Sequence, residues 1–145
     1  MSNYCALNNF EKCYELVQNQ ILSMKSLGRY GKEYEIAIKH LIVSCLGLRK
    51  YQQALKLLGE KGRYKSTEIY CLFIATYYAD KKRYEETYKS LLPSLKQNKG
   101  NEDDVVVIEA LNSLLRKKDK ESLLILENCN LNYNLFNIVK KIFLE

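Results

Sequence analysis

The strongest constraint on this chain is a stretch that reads nearly the same way twice. Residues 46–58 read LGLRKYQQALKLL and residues 79–91 read ADKKRYEETYKSL. Each passes from an apolar helix end through a basic turn to a Tyr, two polar residues, a small residue and then a Leu. Tyr51 and Tyr84 stand 33 residues apart, as do Ala54 and Thr87, and Leu58 and Leu91. A period of about 34 residues with this order marks a repeat of two helices joined by a turn. One such hairpin cannot bury its apolar face alone, so successive hairpins must stack. The two clear units occupy residues 35–95.

Weaker copies flank them. Residues 9–17 read NFEKCYELV, again aromatic, two polar, small, then apolar four places on. Leu7, Phe10, Tyr14, Val17, Ile21 and Met24 recur at spacings of three or four, which predicts a helix over 1–25 with one apolar face. It forms the second half of a degraded first repeat. Gly28 and Gly31 permit the loop that follows. A helix apolar on nearly every side is predicted over 35–48, and its partner over 51–58, ended by Gly59 and Gly62. Ser66 and Thr67 offer N-caps, with Glu68 in the first turn of a helix over 69–79. Its partner spans 84–92, where Pro93 is expected to end or kink it. Glu102, Asp103 and Asp104 open a helix over 105–115. Ala110 stands 35 residues after Ala75, which ties this helix to the repeat. Short helices over 121–127 and 135–145 close the chain.

The last helix is strongly apolar, with Leu135, Phe136, Ile138, Val139, Ile142, Phe143 and Leu144. Helical stacks normally end on a polar cap. So this helix folds back as an atypical cap, or the chain continues beyond residue 145, or a second subunit covers it. The expectation is one domain over 1–145, the front part of a longer chain.

Composition excludes little but bounds the class. The 145 residues are 47% apolar and 28% charged, with one Pro and six Gly, as suits long helices in a globular domain. A net charge of +6 invites an acidic partner without diagnosing nucleic acid. Five cysteines with no C-x-x-C pattern read as reduced core residues of an intracellular protein. No apolar run reaches membrane-spanning length.

The repeat resembles the tetratricopeptide family, which implies an all-α, right-handed superhelix of about three to four hairpins, the first and last degenerate. Tyr51, Ala54, Leu58, Ala75, Tyr78, Tyr84, Thr87 and Leu91 match that family's packing positions. Ile42 stands where the family prefers a small residue, and its helix-closing proline is missing from both clear units. The third unit keeps mainly Ala110. A narrower resemblance joins Leu57, Leu58 and Gly59, the 70–75 segment YCLFIA and the 84–92 segment YEETYKSLL. Together these are similar to the amino-terminal domain of tetratricopeptide scaffold subunits of the anaphase-promoting complex. That resemblance implies a homodimerising scaffold within a multisubunit ubiquitin ligase of mitosis, in the nucleus or cytoplasm.

Nothing in the chain assembles a catalytic set. His40 is the only histidine, with no second ligand or acid positioned by spacing, and reads as a satisfied helix residue. The glycines follow no strand and precede no Gly-Lys-Ser/Thr, so they are loop glycines. Glu85 and Glu86, like the acids at 102–104, read as solvated helix starts. The expectation is a non-enzymatic protein with no cofactor, no metal and no small-molecule substrate.

Three surfaces follow from the repeat. The packing positions make a seam. Arg49, Lys50, Lys82, Arg83, Lys117 and Lys118 fall at equivalent turns and stack into a basic edge. That edge either satisfies helix C-termini or docks an acidic protein or RNA. In this repeat class the first helices line a concave groove, here Ile36, Lys39, Val43, Leu46, Ile69, Leu72, Thr76, Ala79 and Val107, with Leu111 beyond. Lys39 alone suits a peptide carboxylate. A mostly apolar groove calls for an amphipathic helix, from this chain's own first segment or from a second copy.

Overall fold

The computed structural model describes residues 9–61 and 64–145, so the start of the first predicted helix and Gly62 lie outside the described residues. Among the described residues the chain is all helical. The elements are α1 (Phe10–Ser26), α2 (Lys32–Gly47), α3 (Tyr51–Gly59), α4 (Ser66–Ala79), α5 (Lys81–Gln97), α6 (Glu102–Lys117), α7 (Lys120–Glu127) and α8 (Tyr133–Leu144). None of them is long and apolar enough to cross a membrane.

Caps explain the starts. Asn9, Asp80, Asp119 and Asn132 each turn a side-chain oxygen onto a first-turn N–H, at 3.2 Å for Lys12, 3.2 Å for Arg83, 2.8 Å for Ser122 and 3.0 Å for Asn134. Ser66 is helical rather than a cap. Ahead of it the Lys65 N–H donates to Glu68 Oε1 at 3.3 Å. Two stops use a left-handed residue that is not glycine, Arg49 at φ 61° and Lys118 at φ 50°.

Pro93 does not end its helix. α5 runs four residues past it to Gln97, because Leu92 and Leu95 on either side of the exposed proline are both buried. The same shift alters the seam. In α3 the buried positions are Ala54, Leu55 and Leu58; in α5 they are Tyr84, Leu92 and Leu95, while Thr87 and Leu91 are only half-buried. Tyr88, standing where the first unit has the buried Leu55, is half-buried.

The packing follows a regular order. α2, α4 and α6 lie in a row, each against the next. α3 sits on α2 and α4, α5 on α4 and α6, and α7 on α6. α1 packs extensively on α2. One cluster of buried apolar side chains runs through every helix, from Phe10 to Ile142. Tyr hydroxyls tie neighbouring helices. Tyr14 donates to Gln53 Oε1 at 2.8 Å, Tyr70 to Asp104 Oδ1 at 2.5 Å and Tyr84 to Asn112 Oδ1 at 2.6 Å. Asp104 is therefore a half-buried acceptor and not a purely solvated helix-start acid.

α8 closes this arrangement. It leaves α7 through a five-residue turn and packs on α7, α6 and α2. Its end reaches the opposite end of the chain. Glu145 pairs with Arg49, and Lys141 Nζ lies 5.3 Å over the Phe10 ring. Of the three fates open to the apolar last helix, folding back is the one observed.

Cysteines divide. Cys45 and Cys71 are buried free thiols and Cys129 is a half-buried one. Burial pushes the Cys45 thiol up to about 12 and that of Cys71 higher still. Cys13 is disulfide-bonded, which corrects the reading of all five as reduced.

Candidate helix-docking face and neighbouring clefts

The groove predicted from the sequence maps onto the row α2, α4, α6. Its residues are not open. Val43, Leu46, Ile69, Leu72, Thr76 and Val107 are buried, as is Leu111. Lys39 and Ala79 are half-buried, and only Ile36 reaches 36% exposure. The polar member is internally satisfied, since Thr76 Oγ1 donates to the Leu72 carbonyl at 2.7 Å.

α8 adds buried apolar side chains from within the chain. Leu135, Ile138, Val139 and Ile142, at the spacing of one helical face, are buried in the same cluster as Val43, Leu46 and Val107. α8 touches the two outer members of the row, so it spans from α6 to α2. The Arg49–Glu145 pair fixes its far end beside the stacked rings of Tyr51 and Tyr78, whose centroids are 4.9 Å apart. Burial and the Tyr51 hydroxyl beside it raise the Tyr78 phenol to about 12. The sequence signal for this packing was the apolar content of the last helix; which surface that helix covers was not legible.

The packing residues are partly brought together. Ala54, Leu58, Ala75 and Tyr84 are fully buried, and Tyr51 is half-buried. Tyr84 meets Phe73 and Tyr77 edge-on at 5.9 and 5.2 Å. Tyr78 is 37% exposed despite its stack on Tyr51, so it is a surface ring more than a core one.

The six basic residues do not occupy one kind of position. Arg49 and Lys118 sit at left-handed stops, Lys50 precedes α3, and Lys117 ends α6. Lys82 and Arg83 lie in the first turn of α5, at the positive end of its dipole, so they do not satisfy a helix C-terminus. Arg49 is taken by Glu145.

Two openings remain near the start of α2, both missed from sequence. One, of about 760 Å³, includes Met24, Leu27, Tyr34 and Ile36 in its lining. It is the uncovered end of the groove, and Leu22 and Leu27 beside it are strongly exposed. The other, of about 610 Å³, lies between α2, α3 and α4 and is lined by Tyr30, Tyr34 and Tyr64 around Glu68. Glu68 is 2% exposed, and its Oε2 meets Lys61 Nζ at 2.7 Å.

His40 is half-buried on α2. Burial, then the neighbouring Lys39 charge, holds its pKa below the ordinary 6.5. Among the described residues no three His, Cys, Asp or Glu side chains converge as a metal-ligand set. No family description, no curated protein and no solved structure matches the chain.

Proposed function

We propose that this chain is a non-enzymatic protein-interaction module built of tetratricopeptide-like helical hairpins, and that its docking face receives an amphipathic helix. The observation that carries this is α8. An apolar helix from the same chain packs on α2 and α6, the outer members of the row, and buries the face that carries Leu135, Ile138, Val139 and Ile142. A partner would compete with it by presenting apolar residues at the same spacing.

The order of helix contacts, first helix to first helix with each second helix between two firsts, supports the tetratricopeptide-type superhelix. Homodimerisation takes a definite form on this reading. α8 leaves its own groove and fills that of a second copy, giving a twofold pair at little cost. Membership of a cell-cycle ubiquitin ligase as a scaffold subunit rests on the sequence resemblance and is proposed on that ground alone. The basic-edge alternative draws less support, since Arg49 is paired and Lys82 and Arg83 sit apart from the helix stops.

A competition experiment tests the docking face. The substitutions Ile138→Asp and Ile142→Asp place charges on the buried face of α8 and should expel it. A fluorescent peptide of residues 133–145 should then bind the folded double variant and bind the native chain far more weakly. Failure to bind a variant that keeps its helicity removes the docking reading and leaves α8 as ordinary core. Light scattering tests the exchanged dimer. The expected result is a two-chain mass in the native protein that falls to one chain in the double variant, and a one-chain native mass at micromolar concentration removes the dimer.

A further inference from the structure

A buried carboxylate paired with a lysine sits at the base of an aromatic cleft that the docking face does not use. Glu68 is 2% exposed. Its Oε1 accepts the Lys65 N–H at 3.3 Å, which serves the start of α4. Its Oε2 lies 2.7 Å from the Lys61 ammonium, the one ion pair it makes among the described residues. The cleft above them, about 610 Å³, is far larger than one ammonium needs.

The walls favour a cation with an alkyl stem. Tyr30 and Tyr34 meet edge to face, with centroids 5.1 Å apart at 75°. The Tyr64 hydroxyl donates to the Leu58 carbonyl at 2.9 Å, which fixes that ring at the rim. Tyr rings present negative faces to cations. Ile38 and Leu57 supply apolar wall for methylenes. Among the described residues, Glu35, Glu60 and Glu68 line the cleft with Lys61 and Lys65, three carboxylates to two ammoniums. The helix ends agree. α3 brings its C-terminal, negative end to the cleft through Glu60 and Lys61. The positive starts of α2 and α4 are offset by Glu33, Glu35 and Glu68 in their first turns.

We infer that this cleft is a binding site for the lysine side chain of a partner peptide, with Lys61 as the built-in ammonium that holds the site until a ligand displaces it. The chemistry is already displayed, since the cleft binds an alkylammonium of its own chain. The inference does not depend on α8 or on the docking face.

Nuclear magnetic resonance titration of the full ¹⁵N-labelled chain tests it. The probe is N-acetyl-lysine methylamide, and the control is N-acetyl-norleucine methylamide, which keeps the stem and lacks the charge. Saturable shifts confined to amides around Tyr34, Lys61, Tyr64 and Glu68 are expected with the lysine probe alone. Lys61→Ala should tighten binding several-fold by removing the competitor. Tyr34→Ala, which leaves the buried pair intact, should weaken it about fivefold, the size of one cation–π contact. Circular dichroism checks that both variants are folded, and if Lys61→Ala is not, the Tyr34 variant decides alone. Equal shifts with both probes, no saturable shifts, or affinity unchanged in a folded Tyr34→Ala each overturn the proposal.

Discussion

Gly47 shows how one residue sets a helix crossing. A Cβ built at this position would overlap the Phe10 ring, which is itself only 7% exposed. Alanine favours helix over glycine by about 1 kcal/mol. Here the close approach of α1 to α2 outweighs that preference, because a buried ring has no free volume to enter. Gly47→Ala should therefore lower stability by about 1–3 kcal/mol in denaturant unfolding, where an exposed helix site would gain. His40 gives a second residue-scale outcome. The folded chain favours its neutral form, with the pKa held below 6.5 by burial and Lys39. That contribution is whole above the unfolded pKa and drains away as pH falls through the folded one. The melting temperature should fall between about pH 7 and about pH 5, and His40→Gln should flatten that part of the profile. The sequence placed His40 on a helix, where the structure has it. It left Gly47 unremarked, because a clash between residues 37 positions apart has no local signature.

At the scale of the element, periodicity located every helix from residue 32 onward, while the ends obeyed rules that periodicity does not carry. α5 begins three residues before its predicted start because Asp80 caps it, and continues past Pro93 because Leu92 and Leu95 are buried. Packing there overrides the missing backbone donor. The 33-residue register between Leu58 and Leu91 is real in sequence and inexact in space. Leu58 is fully buried and Leu91 half-buried, and the neighbouring Leu92 is buried instead. The left-handed stop at Lys118 also yields a prediction. A side chain at φ 50° carries strain that glycine avoids. Lys118→Gly should stabilise the chain by about 1 kcal/mol, read as a higher denaturant midpoint with an unchanged slope. An unchanged or lower midpoint would mean that the lysine side chain contributes more at this stop than the backbone loses.

At the scale of the molecule, the row of first helices and the return of α8 make one closed packing unit. The sequence showed a groove and, separately, an apolar last helix without a solvent-facing rationale. It did not join them, because the two segments meet only through contacts such as Arg49 with Glu145, 96 residues apart. Loop geometry and helix packing decide that meeting, and neither is written in a local pattern. On the proposed docking reading, α8 already packs on α2 and α6, so a partner would displace a helix rather than enter an empty slot. Hydrogen exchange on the intact native chain tests this most directly, because it reads the protection of α8 against that of α2 in one sample. Seated α8 should show slow amides through Leu135–Ile142 that become fast in Ile138→Asp, while α2 stays protected. Fast exchange of α8 in the native chain, at the rate of a free peptide, would contradict the account.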